Sequence, residues 1–442
     1  MRTDGVNKGI FSLYWHICWP AALEGLLIVM LTSVDLVMVS SLGTAAVAAG
    51  GIFSQPKMVI LCVSRSLSVT VTAVVAKRFG KGETQGLSAF LKQTTLLTFL
   101  AAFVLFILTE GSLKSILLLA GAEAEYLPLA LSYGWLANIN LLFYAPALVI
   151  NGGLTGLGQT KSMLISNVAG NLVNVGLNAV FIYVFALGVA GAGLATAIGG
   201  GVTLLCSVLF AVRENCLVSL WGRNHWKLTA ENFKEVRRYF SGIFLEQGFE
   251  RIGMFLYSVM TAMLGMTDFA IHNICMTLCD VFYSFGQGFS KSSLALSGRF
   301  SGERNGEHQR GLLLAAKILP GACALAAAAG YVAFAPQLMG FYSKDTLVIE
   351  RGVVILLFVA ATCIPSSQSL SLSGILRGIG DTNYVARYSF WSIAVIRPIL
   401  TWVLCFGFHL GLSGAWMALL FDQTMRWAFA AYRTRSKVGQ SG

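Results

Sequence analysis

Two apolar stretches of this sequence carry polar side chains at helical spacing, and these residues are the strongest candidates for chemistry. In the later stretch, four asparagines follow one another at spacings of 4, 3 and 4 residues, which places them on one face of a helix. They are Asn167, Asn171, Asn174 and Asn178. In the earlier stretch, Glu24 and Asp35 lie eleven residues apart, about three helical turns, so they also share a face.

Asp35 needs a functional or a structural reason, because a charge inside a membrane-spanning helix costs about 3 kcal/mol on insertion scales. One interpretation is a small polar cavity, formed by this carboxylate, the asparagine stripe and Thr196, that holds a proton or a small cation. The alternative is an interhelical seam of hydrogen bonds, which membrane bundles also use.

The sequence repeats itself at a constant offset of 222 in residue number, and the repeat differs at the position of Asp35. Residues 20–24 (PAALE) correspond to 242–246 (GIFLE). Because half of 442 is 221, we interpret the chain as a tandem duplication. Asp35 corresponds to Tyr257, so the second copy lacks this carboxylate and retains Glu246 as its main acid.

Several charged or aromatic residues in apolar stretches are candidates for a substrate cavity. They are Glu24, Lys57, Arg65, Glu246, Arg251, Tyr257 and Asp280. Lys57 and Arg65 lie eight residues apart, on roughly one helical face. They either neutralise Glu24 or Asp35 by pairing with it, or indicate an anionic or zwitterionic substrate.

The second copy offers partners of opposite charge within its own apolar stretches. Asp280 is a candidate partner of Arg251. Asp422 and Arg426 are expected to form a structural pair, because residues at i and i+4 are neighbours on a helix.

The elements that position these residues are membrane-spanning helices, so the chain is predicted to be an all-α integral membrane protein. Apolar residues form 56% of the chain and charged residues 12%, against about 25% in soluble domains. Backbone groups in lipid must pair within the segment, which favours helices. Twelve spans, six per copy, are predicted at 10–40, 49–76, 90–110, 126–150, 162–185, 189–212, 238–260, 270–297, 311–336, 352–374, 384–407 and 412–432. An even number per copy gives two lobes related by a pseudo-two-fold axis along the membrane normal.

The net charge of +11 is distributed unevenly across the predicted membrane. Of the 31 Lys and Arg residues, 22 fall in connections on one side and 3 in connections on the other. Basic connections face the cytoplasm, so both termini are predicted to be cytoplasmic and the protein to lie in the cell membrane. This charge indicates topology and lipid contact, not a nucleic-acid partner. The nine Cys show no metal-binding spacing.

Several of these features together resemble the multidrug and toxic compound extrusion (MATE) family, of the multidrug/oligosaccharidyl-lipid/polysaccharide flippase superfamily. They are residues 20–43 of the first span, the G-x-G-x-T turn at 156–160 and residues 174–178 (NVGLN) of the fifth span. The two six-helix halves also match, so the resemblance covers essentially the whole chain.

The resemblance implies a cation-coupling site in the first lobe, for H⁺ or Na⁺, formed by Asp35, Asn174, Asn178 and Thr196. Asn178 departs from the family pattern, because an amide replaces the second carboxylate. In Na⁺-coupled relatives, an acid of the tenth span accompanies the position of Glu246, and the tenth span here has no acid. Both departures favour H⁺, with Na⁺ at Asp35 as the alternative.

The widest break between apolar stretches predicts a cytoplasmic linker at 213–238, between lobes at 1–212 and 239–442. The expected function is cation-coupled multidrug efflux by alternating access of the lobes, without a cofactor and with a monomer sufficient. The substrate is expected to be an organic cation, or an anion or zwitterion. A flippase for lipid-linked saccharides or peptidoglycan precursors is the alternative, with Lys57 and Arg65 as phosphate anchors. The sequence contains no H-E-x-x-H or G-x-S-x-G motif, so it is not expected to be an enzyme.

Overall fold

The computed structural model describes residues 2–213, 226 and 229–439, and within these ranges the chain is almost entirely helical. The described residues form twelve long helices, which agrees with the predicted spans, and one short helix, α10. The helices are α1 (Arg2–Ser40), α2 (Thr44–Gly80), α3 (Leu87–Leu119), α4 (Leu127–Gly156), α5 (Thr160–Val184), α6 (Gly188–Ala211), α7 (Ala230–Ala262), α8 (Met266–Gly302), α9 (Gly306–Ala333), α10 (Ala335–Tyr342), α11 (Thr346–Ile379), α12 (Thr382–Gly407) and α13 (Gly411–Gly439). In this part of the chain, nine helices are long and apolar enough to span a membrane, while α7, α8 and α13 are more polar.

The duplication is visible in the backbone as well as in the sequence. Helices α2 and α8 begin and end at positions that correspond at an offset of 222. The residue before each helix is a glycine with the same unusual backbone, Gly43 with φ 103° and Gly265 with φ 105°. Residues that carry a side chain rarely adopt this backbone conformation, which explains why both copies have glycine at this position.

Helices α5 and α12 show where the two copies differ in length. Their starts, Thr160 and Thr382, correspond at an offset of 222, but the π-helical turns that end them, Val180–Val184 and Val403–Gly407, correspond at an offset of 223. Helix α12 has a further π-helical segment at Phe390–Ile396. A wider turn accommodates the additional residue. Positions after this segment therefore correspond at an offset of 223.

The chain divides into two compact units, which we describe separately. The first unit is Leu23–Phe240, and the second contains the residues up to Ala22 together with Ser241–Gly442. Helix α1 therefore belongs to both units. In the second unit the Tyr14 hydroxyl lies 3.1 Å from the hydroxyls of Ser293 and Ser371. The lobes predicted at 1–212 and 239–442 stay predictions.

Most of the linker predicted at 213–238 lies outside the described residues, but its last part forms the start of α7 within the first unit. The Gln93 side-chain oxygen accepts hydrogen bonds from the Thr229 backbone at 3.2 Å and from the Asn232 amide at 2.7 Å. Arg78 of α2 donates to Glu235 at 2.5 Å and to Asn232 at 2.7 Å. These bonds fix the first turns of α7 to α2 and α3.

Glycines bring α5 and α6 of the first unit close together. A Cβ added at Gly199 of α6 would lie 2.8 Å from the backbone oxygen of Gly170 and 2.9 Å from the Cβ of Asn174, both in α5. This approach leaves no room for a side chain at Gly199. It places the asparagine face of α5 directly against α6.

Candidate functional site: a polar cluster between α1, α5 and α6

Two matched hydrogen bonds join α1 to α5 in the first unit. The Asn167 amide nitrogen donates to Glu24 at 2.6 Å, and the Asn178 amide nitrogen donates to Asp35 at 2.8 Å. The partners are 143 residues apart in both pairs. The two helices therefore run parallel and in register over about three turns, and Glu24 and Asp35 share a face as predicted.

Helix α6 completes the arrangement on the other side of α5. The Asn174 amide nitrogen donates to the Thr196 hydroxyl at 3.4 Å, and this hydroxyl donates to the backbone oxygen of Ala192 at 2.9 Å. We call the set Glu24, Asp35, Asn167, Asn174, Asn178 and Thr196 the α1–α5–α6 cluster. Tyr133 of α4 lies beside Thr196 and close enough to interact electrostatically with Asp35.

The asparagine stripe does not act as one unit. Asn171, half-buried, donates its amide to the backbone oxygen of Asn167 at 2.8 Å. It therefore satisfies a helix carbonyl, whereas Asn167, Asn174 and Asn178 bridge to other helices. These three side chains therefore form an interhelical hydrogen-bond seam, and the interpretation of the stripe as part of a polar cavity stays a prediction.

Each carboxylate of the cluster faces an amide whose oxygen has no partner among the described residues. Asn167 and Asn178 are buried, and their Oδ1 atoms have no hydrogen bond. A buried acceptor without a partner costs about 1–3 kcal/mol, so each oxygen favours a donor or a cation beside it. Asp35 is half-buried, and Glu24 is buried. The cluster thus combines two carboxylates with two amide oxygens that have no hydrogen-bond partner among the described residues.

Lys57 and Arg65 of α2 do not pair with the acids of the cluster. In the described part of the chain, neither forms a salt bridge with Glu24 or Asp35. Arg65 instead approaches the sulfur of Met58 at 3.7 Å, and Lys57 interacts with Asp35 only at longer range. The alternative of direct pairing is therefore not seen among the described residues, and the alternative of an anionic or zwitterionic substrate stays a prediction.

The equivalent positions of the second unit are filled in a different way. Tyr257 replaces Asp35 and is buried, and Arg397, at the position equivalent to Asn174, lies over its ring at 5.9 Å. Arg397 forms a buried salt bridge with Asp422, the residue equivalent to Gly199. Asp422 therefore pairs with Arg397, and the predicted pairing with Arg426 is not a contact but a longer-range interaction.

Glu246 is buried in an ion pair that sequence reasoning missed. Arg377 donates to both of its carboxylate oxygens, at 2.5 and 3.0 Å, and to the Ser290 hydroxyl at 3.1 Å. Arg377 lies three residues beyond the predicted tenth span, so the sequence gives no signal for an intramembrane partner there. The pair removes the net charge that a second-unit cation site would need.

The remaining candidates of the second unit do not form one site. Asp280 and Arg251 are exposed and interact electrostatically, without a salt bridge in the described part. Glu250 accepts a hydrogen bond from the Tyr283 hydroxyl at 2.9 Å. The described residues contain no group of three or more His, Cys, Asp or Glu that would hold a metal ion.

Comparison with known proteins identifies the family. The sequence profile of the MatE family matches residues 20–180 and again residues 243–403. The chain belongs to the MatE family. The two matches start at an offset of 223, so each copy of the duplication is one MatE domain, and the predicted resemblance is confirmed.

Relatives and solved structures extend the match over the whole chain. A Thermotoga maritima protein named probable multidrug resistance protein NorM is 23% identical over 441 residues, which cover 96% of this chain and 94% of the relative. The uncharacterized transporter YisQ of Bacillus subtilis is 21% identical, with 97% and 94% covered. A MATE transporter solved in an outward-facing conformation has a TM-score of 0.92 at 20% identity, with 100% and 99% covered.

The MatE assignment confirms the predicted fold class, twelve membrane helices in two lobes, and shows a multi-pass membrane transporter that is not an enzyme. The four positions that the resemblance implied, Asp35, Asn174, Asn178 and Thr196, lie together in the α1–α5–α6 cluster. Tyr133 was missed, because one aromatic residue in an apolar span gives no distinguishing signal. Asn167 was noted in the stripe, but its bond to Glu24 was not predictable from spacing.

Proposed function

We propose that this MatE protein is an efflux antiporter, which couples export of small organic molecules to inward movement of a cation, with H⁺ favoured over Na⁺. The observation that carries the proposal is the contact of Asp35 with Asn178. One half-buried carboxylate is held by one amide nitrogen at 2.8 Å, while the oxygen of the same amide has no partner among the described residues. The names of several relatives, which describe multidrug resistance proteins, support the substrate class.

The contact suggests how cation binding changes the protein. Ionised Asp35 accepts a hydrogen bond from Asn178, and this bond holds α1 against α5. Protonation turns the carboxylate into a donor, and the free Asn178 Oδ1 is then the appropriate partner. The amide must turn, so the α1–α5 contact differs between the two protonation states. Such a contact is a two-state element that a cation gradient can bias.

The donor set favours H⁺ because the pair contains one carboxylate and no second acid. Na⁺ is the alternative, since carboxylate and amide oxygens are acceptable ligands for a hard cation. At least one further oxygen would have to join Asp35 and Asn178, and Thr196 lies on the adjacent helix.

The proton gradient is large enough for useful export. One charge crossing about 100 mV releases about 2.3 kcal/mol, and one pH unit adds about 1.4 kcal/mol. The sum, about 3.7 kcal/mol, supports a substrate gradient of roughly 500-fold. If a monovalent cation is exported for each proton, only the pH component remains, and the gradient falls to about tenfold.

The proposal places the protein in the cell membrane with both termini cytoplasmic, because the basic connections lie on one side. A monomer suffices, since both lobes belong to one chain. The substrate is an organic cation or a zwitterion. Lys57 and Arg65, which form no salt bridge with an acid among the described residues, favour a substrate that carries an anionic group, such as a zwitterion.

Substrate-stimulated proton release from the purified protein in liposomes, with and without Na⁺, tests the proposal. We expect Asp35→Asn to abolish coupled transport and proton release, because the amide cannot exchange a proton. The matched control is Asp268→Asn, the same substitution in a half-exposed salt bridge with Arg351 at 3.2 Å. Surface pairs contribute about 0–1 kcal/mol, so this control should transport normally.

Full coupled transport by the Asp35→Asn variant would refute the coupling role of Asp35. Proton release that requires Na⁺ would indicate that the coupling ion is Na⁺ and not H⁺. An envelope defect without drug sensitivity, after deletion of the gene, would instead favour the flippase alternative.

A further inference from the structure

A groove on the second unit contains two basic side chains that the transport proposal does not use. Its volume is ≈ 970 Å³, and it lies between α9, α11 and α13. Lys317 of α9 and Arg435 of α13 line it, together with the aromatic residues Trp427 and Tyr432 of α13. The Gln368 side chain of α11 donates to the backbone oxygen of Lys317 at 2.7 Å and so ties α11 to α9 beside the groove.

The two basic groups of the groove have no acidic partner in the described part of the chain. Their charges are close enough to repel one another. Among the described residues, the side chains of Lys317 and Arg435 form no salt bridge and no hydrogen bond. Two like charges that face one groove without a carboxylate lose free energy unless an anion joins them.

The first copy shows that the fold does not require these residues. Buried positions of α3 and α9 correspond at an offset of 222, and those of α6 and α13 at an offset of 223. The positions equivalent to Lys317, Trp427, Tyr432 and Arg435 are Thr95, Leu204, Leu209 and Val212. The basic and aromatic residues are therefore a property of the second copy alone, which indicates a specific role.

The position of the groove along the membrane axis identifies the environment of the two charges. Lys317 lies six residues, about 9 Å, inside the predicted span 311–336, and Arg435 lies three residues beyond the predicted span 412–432. Both are near the ends that the charge distribution assigns to the cytoplasm. Trp and Tyr are enriched at this depth, where one side of the ring meets lipid and the other meets water.

We propose that the groove between α9, α11 and α13 binds an anionic phospholipid of the cytoplasmic leaflet, with the phosphate between Lys317 and Arg435 and the lipid chains against Trp427 and Tyr432. Basic pockets between membrane helices on this side accept such headgroups. The volume lies within the range of about 300–1,000 Å³ found for small-molecule sites.

Fluorescence quenching by brominated lipids tests the site in the full-length protein. The protein is placed in phosphatidylcholine nanodiscs that contain brominated phosphatidylglycerol or, in a parallel series, brominated phosphatidylcholine. The part of the quenching that is lost in the Trp427→Phe variant comes from Trp427 and therefore reports lipid bound in the groove. We expect a preference for phosphatidylglycerol of about thirtyfold, since each basic residue near the surface contributes about 1 kcal/mol.

The double variant Lys317→Gln/Arg435→Gln should reduce the preference to near one, while Lys317→Arg/Arg435→Lys, which keeps both charges, should retain it. The matched control, Arg310→Gln/Arg387→Gln, removes two exposed charges at the same predicted side and should also retain it. An unchanged preference in the first variant, or an equal loss in the control, overturns the proposal. Displacement of the lipid by millimolar inorganic phosphate overturns it as well, because the ligand would then be a soluble anion.

Discussion

Replacing Asn178 with Asp is the most direct test of the ion that the α1–α5–α6 cluster binds. The Asn178 amide lies 2.8 Å from the Asp35 carboxylate, so the substitution brings two carboxylates to about 4 Å. At an effective dielectric constant of about 20, they repel by about 4 kcal/mol. A sodium ion between them removes this repulsion, and about 1.4 kcal/mol corresponds to a factor of ten in affinity. We therefore expect the Na⁺ affinity to increase by up to about a thousandfold.

Two measurements report this gain for the Asn178→Asp protein. The first is substrate transport in liposomes as a function of Na⁺ concentration at alkaline pH, where protons compete least. The second is the thermal stability of the purified protein with and without Na⁺, because an ion that binds the folded state raises the melting temperature. Choline chloride at equal ionic strength serves as the salt control.

Asn138→Asp is the matched control variant. Asn138 of α4 donates its amide to Glu110 at 3.2 Å, so this change also places a new carboxylate beside an existing one, but outside the cluster. It should leave the Na⁺ response of transport unchanged. Our placement of the ion at Asp35 and Asn178 is refuted if Asn178→Asp shows no Na⁺ response, or if Asn138→Asp shows an equal one.

Two further predictions concern stability and are measured by thermal denaturation of the purified protein. Arg397→Met should lower the free energy of unfolding by about 3–5 kcal/mol, because it leaves the charge of the fully buried Asp422 uncompensated. The double variant Arg397→Met/Asp422→Leu should recover most of this loss. Equal stability of the two variants would contradict the prediction. Gly43→Ala and Gly265→Ala should each lower the free energy of unfolding by about 1–3 kcal/mol. The loss should come from backbone strain alone, because both residues have a positive φ and an added Cβ meets no atom within 4 Å. The control Gly50→Ala, in a helix with equal space, should be neutral or stabilising, and a matching loss there would exclude strain as the cause.

The duplication makes equivalent positions of the two units comparable, and their polarity differs strongly. In the first unit, Asp35 faces amides, and Gly199 permits close helix packing. In the second unit, the equivalent residues are Tyr257 and Asp422, and the buried Arg397–Asp422 pair occupies the space. A buried ion pair with both partners satisfied is electrically neutral, so this place does not attract a second cation.

The sequence alone determined those features that depend on local periodicity and composition. The number of spans follows from apolar runs, the duplication follows from the constant offset, and the shared face of Glu24 and Asp35 follows from their spacing. The family resemblance added the four positions of the cation site, and the structure places these side chains together.

Only the tertiary structure decided which helices meet and in which register. The bonds from Asn167 and Asn178 to α1 join residues 143 apart, and the bond from Arg377 to Glu246 joins residues 131 apart. Helical spacing fixes the direction of a side chain, but the partner across an interface depends on the packing of several helices at once. The expected Asp422–Arg426 pair failed for this reason, because packing brought Arg397, and not the nearest opposite charge in sequence, into contact with Asp422. Asp280 and Arg251 interact electrostatically but form no salt bridge in the described part of the chain.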